Sequence, residues 1–432
     1  MKVLLVQAYL GGHEAPVYPL GLACIAASIP EHEVTVYDPN TVAAPLDGLK
    51  EIIARCSPEL VGVSLRNIDS TNKSEIVFYY QWVGSLLAII SSNCDAKIVL
   101  GGSGFSMFAK EIMEEHPAID YGVYLEGESV FPLLLQHLAA PFKVPSLFYR
   151  QGGKICYSGD GQAVEINQAP PPAWDALACA PYLKGRDAIG VETKRGCALG
   201  CVYCIYGFLN GRKYRLKSPV RVVDEVEALV KKHKVTQFTF VDSIFNVPQA
   251  HAREICRELI TRNISVTWSA WLNEHFFDHE FLTLLVEAGC RHIIFSPDGF
   301  SNGVLRILGK NLSMQDIVQS LLLVQRNTNR EVELSYNFFM NPPGQSLANF
   351  FGMLFFCLLA KVTMKKRVHF EFSVMRIEPH TGLYRIALEE GVITKNQCLL
   401  NPTYYSNRRT QYLERMMKVL LSLRGKLSHA NR

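Results

Sequence analysis

Short apolar runs alternate with amphipathic stretches along the first third of the chain. Runs at Val3–Val6, Glu33–Tyr37, Leu60–Leu65, Lys97–Leu100 and Tyr121–Tyr124 predict strands. Between them, Leu20–Ile29, Leu46–Cys56, Val77–Ser91 and Phe105–Glu115 carry helical spacing. Such alternation implies a parallel sheet with helices on both faces. From about residue 141 to 186, Gly152-Gly153, Gly159, Gly161 and Pro170–Pro172 break the pattern, and only a hairpin-like stretch, Leu147–Tyr157, survives; this region reads as a linker, with Trp174 placed to pack it. From 187 to 385 the alternation resumes. Strands are expected at Asp187–Thr193, Phe238–Asp242, Val266–Ser269, His292–Ser296, Glu333–Phe339 and Phe370–Ile377. Helices are expected at Val220–His233, Gln249–Thr261, Asp278–Ala288, Met314–Arg326 and Ala348–Ala360. The most apolar stretch, Phe350–Ala360, is shorter than a bilayer span and predicts a buried helix, so no transmembrane segment is expected. The last segment, 386–432, is basic, with Leu413, Met416, Met417, Leu420 and Leu421 at the spacing of a closing helix.

Composition narrows the class. The chain has 432 residues, 48% apolar and 19% charged, which is ordinary for a globular protein of two or three domains. A net charge of +4 is too small to argue for nucleic acid, and none is expected as a partner. Met1–Val6 has no cleavage site after it and reads as a first strand. Most of the twelve cysteines are scattered singly, which suits a reducing, cytoplasmic setting.

Three cysteines are different. Cys197, Cys201 and Cys204 stand at C-x3-C-x2-C spacing, just after a turn at Lys194-Arg195-Gly196. Thiolates are the ligands of iron–sulfur clusters, and three of them hold three irons of a four-iron cluster while leaving one iron open. A zinc knuckle is the plainer alternative, but it calls for paired spacing that Cys179 and Cys256 do not supply. The loop, with Tyr203 before its last cysteine, resembles that of the radical S-adenosylmethionine (SAM) superfamily, in which the amino and carboxylate groups of SAM chelate the open iron. The resemblance implies an open six-unit β/α barrel with SAM contacts at the strand ends. On that pattern Tyr203, Asp242 and Ser243 after the second strand, Ser296 and Asp298 after the fourth, and Arg376 and Ile377 after the sixth are SAM-binding candidates. Asn341-Pro342-Pro343-Gly344-Gln345 resembles the G-x-P-G-E turn of these enzymes. The basic loop Gly211–Pro219 reads as solvated, with one or two cations expected near the cluster. Trp268 and Trp271 are candidates for the pocket border, with core packing the plainer role.

The first domain has its own pattern. A polar loop, Ser64–Asn72, follows the third strand; Gly101-Gly102-Ser103-Gly104 follows the fourth; Glu126-Gly127-Glu128 follows the fifth. Ligands of open α/β sheets sit at such carboxyl ends. The set resembles the cobalamin-binding Rossmann domain and implies corrin contacts from Ser64, Leu65, Arg66, Asn67, Asp69, Gly101, Gly102, Ser103, Glu126 and Gly127. The D-x-H-x-x-G loop that supplies a histidine below cobalt in many such domains is missing: Gly11-Gly12-His13-Glu14-Ala15-Pro16 has neither its aspartate nor its last glycine. His13 is therefore expected to be a loop histidine, and cobalt to carry no histidine ligand, with the Arg66–Asn72 loop or water facing its lower side.

Together these readings give an α/β protein: a Rossmann-like cobalamin-binding domain (1–140), a linker (141–186), a partial (β/α)6 radical SAM barrel (187–385) and a helical extension (386–432). The order resembles the cobalamin-dependent radical SAM class. It implies a [4Fe-4S] cluster, SAM and cobalamin as methylcobalamin, and a methyltransferase acting on an unactivated carbon of a small molecule or peptide. An electron donor such as flavodoxin or ferredoxin, and a monomeric state, are expected with it. A non-methylating rearrangement, cyclisation or ring contraction is the alternative; a cobalamin carrier or sensor with a structural cluster is the second. The sequence singles out no catalytic side chain.

Overall fold

The computed structural model describes residues 1–70, 76–327 and 332–430. Two compact units emerge, the first comprising Met1–Ser70, Glu75–Gly196 and Leu209–Thr239, the second chiefly Cys197–Phe208 and Phe240–Arg432.

In the first unit, the expected strands form as β1 (Lys2–Gln7), β2 (Glu33–Tyr37), β3 (Leu60–Ser64), β4 (Lys97–Gly101) and β5 (Tyr121–Val123). Their near-continuous apolar runs suit a parallel sheet covered on both faces. Two further strands, β6 (Leu147–Gln151) and β7 (Lys154–Tyr157), add antiparallel to it, giving the order β2-β1-β3-β4-β5-β6-β7. The hairpin read as part of a linker therefore extends the first sheet: β6 pairs with β5, and the glycine turn at Gly152-Gly153 folds β7 back beside β6. Register aligns the strand ends: Gln7 lies opposite Ser64, and Ser64 opposite Gly101. The loops that carry the corrin candidates thus leave the sheet at one level.

Helices α1 (Leu20–Ser28), α2 (Pro45–Cys56) and α3 (Val83–Asn93) follow the expected pattern. The helix expected at Phe105–Glu115 is two, α4 (Ser103–Met107) and α5 (Ala109–Glu115), because Phe108 leaves helical backbone at φ −140°. Pro132 hid α6 (Gly127–Gln136) from the sequence pattern, since an internal proline removes a helix hydrogen bond. Leu22, Ala26, Phe131 and Leu134 of α1 and α6 pack with Val3, Leu5, Val99 and Val123 in one apolar core.

The second unit contains four parallel strands, Thr267–Leu272, Cys290–Asp298, Glu333–Phe339 and Val368–Ser373, paired in that order. Helices Gln249–Thr261, His279–Glu287, Met314–Asn327 and Leu347–Met364 alternate with them along the chain. Phe295, Tyr336, Phe338 and Phe356 form its aromatic core. The strand expected at Phe370–Ile377 breaks at Val374; Met375–Arg376 instead pairs antiparallel with Tyr404–Tyr405. The first expected barrel strand shrinks to Gly190–Val191, and the second runs Gln237–Phe240. Helix Leu347–Met364 departs from its expected burial: Phe350, Met353 and Phe356 are covered, while Phe351, Phe355 and Leu358 are exposed. Contrary to the sequence reading, the 21 residues Leu347–Arg367 are long and apolar enough to meet the length and composition of a membrane span. The tail helix, Gln411–Ala430, buries Leu413 and Met417 but leaves Leu420 exposed.

Candidate functional site

The cysteine loop is seated by backbone. Val202 N–H donates to Leu308 O at 3.0 Å, and Leu383 N–H to Val202 O at 2.7 Å, so the loop is pinned from both sides. Gly309, at φ +68°, turns the chain where a Cβ would strike the carbonyl of Gly200. Around this loop sits a buried polar group. Tyr203 Oη donates to Asp298, and Lys310 Nζ pairs with the same carboxylate while donating to Ser296 O at 2.7 Å. Lys310 Nζ also lies 5.3 Å from the centre of the Tyr203 ring, within cation–π range. Burial works against the Lys310 charge, but the Asp298 carboxylate beside it more than offsets this and holds the ammonium well above its usual range. Burial pushes two of the thiols up, Cys204 to about 12 and Cys201 above its usual range, with Lys310 opposing the rise at both. A buried cation beside thiols that must ionise to bind metal favours the ligating state.

Glu274 lies just past the strand Thr267–Leu272 and is 3% exposed, with Oε1 lacking any hydrogen-bond partner. Burial raises its carboxyl to about 8, so it is neutral at pH 7. The turn that holds it is rigid: Asn273 N–H donates to Asn246 Oδ1 at 2.8 Å, and Asn246 Nδ2 returns a bond to Asn273 O at 2.9 Å.

The first unit holds a cavity of about 280 Å³ at the carboxyl edge of its sheet. Gly62, Ser64, Gly101, Gly102, Ser106 and Glu126 are among its walls. Glycine is required at 102: its φ is +99°, and a Cβ there would lie 2.6 Å from Leu65 O. Ser103 Oγ donates to Arg66 O at 2.7 Å, while Ser106 Oγ donates to Gly102 O and accepts from Leu125 N–H at 2.8 Å. These bonds tie together the loops after β3, β4 and β5. Polar wall groups come as an ion network: Arg195 contacts Glu128 and Glu192, and Arg215 grips Glu126. Burial alone would raise the Glu192 carboxyl, but the Arg195 guanidinium outweighs it and holds the group below its usual range.

Two family models match the chain, the B12 binding domain over residues 7–135 and the Radical SAM superfamily over residues 191–357. The chain belongs to the cobalamin-dependent radical SAM enzymes. The family's cofactors are a [4Fe-4S] cluster, SAM and cobalamin. An uncharacterized methyltransferase of Pyrococcus horikoshii is 24% identical over 309 residues, which is 70% of this chain and 65% of that protein. The anaerobic magnesium-protoporphyrin IX monomethyl ester cyclase of Rubrivivax gelatinosus is 26% identical over 349 residues, 76% of this chain and 60% of that one. The chain thus spans less than two thirds of the length of these relatives. The fold matches that of TsrM from Kitasatospora setae, a radical SAM methyltransferase, with a TM-score of 0.77 at 22% identity, over 90% of this chain and 76% of that one.

The residues present fit these groups. Three thiols in one short loop, Cys197 buried and Cys201 and Cys204 half-buried, match a cluster with an open iron, and the glycines at 62, 101 and 102 leave the cavity walls without side chains. Among the SAM candidates, Tyr203, Ser296 and Asp298 come together around Lys310. Asp242 is buried and Ser243 half-buried at the end of Gln237–Phe240. Arg376 is occupied elsewhere: its guanidinium holds Glu378 and the carbonyl of Leu399. Ile377 is fully buried and its N–H donates to Thr403 O at 2.8 Å.

Of the corrin candidates, Ser64, Gly101, Gly102, Ser103, Glu126 and Gly127 line the cavity. Leu65 and Asp69 are buried, whereas Arg66 and Asn67 are exposed. Thr71 and Asn72 of the same loop lie outside the described residues. His13 is exposed. Cations of the basic loop expected at the cluster are engaged within the first unit, Arg215 on Glu126 and Lys217 on Glu225 at 3.2 Å. Trp268 packs in the core with Nε1 donating to Ala288 O at 2.7 Å, which removes it from any pocket border. Lys310, Glu274, Glu192 and Ser106 escaped the sequence reading.

Proposed function

We infer that this enzyme is a methyltransferase that moves the methyl group of SAM, by way of cobalamin, to an unactivated carbon of a small molecule or peptide. The observation that carries the reading is the cysteine loop: three thiols without a fourth, seated against a buried Tyr203–Asp298–Lys310 group. When bound, the cluster supplies the electron for SAM cleavage and cobalamin the methyl relay. The protein's part is positional. Lys310 and Asp298 offer fixed charges of both signs to the amino-acid end of SAM, and Tyr203 holds the carboxylate in place from the cysteine loop. Glu274 keeps a proton at pH 7 within electrostatic reach of that group. The cavity in the first unit excludes bulk water from one side of its ligand through apolar walls such as Leu5, Val99 and Phe131. The methyltransferase relatives support this assignment.

A second reading, non-methylating cyclisation, draws support from the cyclase relative of Rubrivivax gelatinosus. Anaerobically reconstituted enzyme carrying cluster and cobalamin, given methyl-labelled SAM and a low-potential reductant, separates the two. Methyl transfer predicts cobalamin-dependent formation of S-adenosylhomocysteine. If SAM is consumed only to 5′-deoxyadenosine and methionine, the second reading replaces the first.

A further inference from the structure

Helix Leu347–Met364 carries two opposed apolar faces. Its inner face, Phe350, Met353, Phe356, Ala360 and Met364, is buried. Phe356 stacks on Phe300 at 4.8 Å and meets the Tyr336 ring edge-on at 5.3 Å. Its outer face is a stripe at helical spacing in which Phe351 is 52% exposed, Phe355 68%, Leu358 62% and Val362 66%. Leu347 and Leu359 widen it, and it runs for about 22 Å at the rise of an α-helix. A surface helix ordinarily shows water its polar residues and the core its apolar ones. Here the solvent-facing side is as apolar as the core-facing side.

Charge decides what would cover it. Leu347–Arg367 contains no acidic residue, and its end is basic: Lys365-Lys366-Arg367 follow the stripe directly, with both lysines exposed. A partner must therefore offer an apolar layer beside negative charge, which is the structure of an anionic lipid surface. The helix meets the length and composition of a membrane span. Spanning would nonetheless pull Phe356 and its buried neighbours out of the aromatic core of the second unit, so the helix must stay docked and lie along the surface.

We propose that this face is a membrane-docking surface, in which Phe351, Phe355, Leu358 and Val362 enter the acyl boundary of an anionic bilayer and Lys365 and Lys366 meet its headgroups. The proposal is independent of the reaction assigned above. It is tested by flotation of the full-length, cofactor-loaded enzyme with phosphatidylcholine vesicles, with and without phosphatidylglycerol. Partition should strengthen about tenfold or more when anionic lipid is included, because each basic residue near the surface adds attraction, and should weaken as salt is raised. Phe355→Glu/Leu358→Glu should abolish binding, and Lys365→Glu/Lys366→Glu should abolish the preference for anionic lipid. These positions are solvent-exposed, and an unchanged thermal midpoint and circular dichroism spectrum would confirm that both variants remain folded. Absence of wild-type binding overturns the proposal. So does equal binding to both vesicle types, or a concentration-dependent dimer in sedimentation that Phe355→Glu/Leu358→Glu dissolves, which would assign the stripe to a second copy.

Discussion

Lys310 and Asp298 are both nearly inaccessible to water, and each is tolerable there only because of the other. Removing one partner of a buried ion pair leaves an uncompensated charge, at a cost of about 3–5 kcal/mol. Lys310→Met should therefore lower unfolding stability in denaturant titrations by roughly that amount, whereas Lys310→Met/Asp298→Leu should recover most of it. A Lys310→Met variant as stable as wild type would show that the pair is not ionised in the native state. Glu274 makes the opposite bargain by giving up its charge. Its carboxyl is raised by burial to about 8, so between the ordinary carboxylate range and pH 8 the folded chain binds a proton that the unfolded chain has released. Stability from this group is therefore complete at low pH and declines as pH rises, by up to about 1.4 kcal/mol per unit, levelling off above pH 8. Glu274→Gln should flatten that slope in thermal melts taken from pH 5 to 8, with the variant most favoured relative to wild type at the upper end. An unchanged slope would mean that the carboxylate is charged in place.

Among secondary-structure elements, the turn from β4 into α4 is tightly constrained. Gly102 combines a φ of +99° with a backbone carbonyl at 2.6 Å from where a Cβ would stand. Neither constraint yields to side-chain movement, since Leu65 O belongs to the backbone of the neighbouring loop. Gly102→Ala should cost more than about 1 kcal/mol of stability and reduce corrinoid content per chain, read from the visible spectrum of the purified protein. The Gly127 position is less strict: a Cβ there would meet only the tip of the Ile25 side chain. The cysteine loop is anchored in the same manner, by backbone bonds to Leu308 and Leu383 and by Gly309 against Gly200. In both places the candidate loop depends on a segment that comes from elsewhere in the chain.

For the molecule as a whole, the candidate residues for the corrin and those for the cluster fall in separate compact units. The cavity walls, from Leu5 to Asn210, all belong to the first unit, and the three cysteines with Lys310 and Asp298 to the second. Cys204→Ser should consequently remove iron and sulfide and abolish SAM cleavage while leaving the corrinoid content per chain as in wild type. Loss of corrinoid in that variant would show that the cradle is not self-contained.

Much of this organisation was legible in the order of residues. Strand runs such as Glu33–Tyr37 are local patterns, and the spacing of Cys197, Cys201 and Cys204 is a local chemical unit, so neither needs a fold to be read. What only the tertiary structure decided are the relations between distant residues. The pairing of Lys310 with Asp298 and of Arg195 with Glu128, and the joining of Leu147–Tyr157 to the first sheet, are contacts across sequence separations that no periodicity encodes. The same holds for the sign of burial on the helix Leu347–Met364. An apolar residue looks alike in sequence whether it faces the core or the solvent, and only the packing of Phe300 and Tyr336 against Phe356 determined which side was covered.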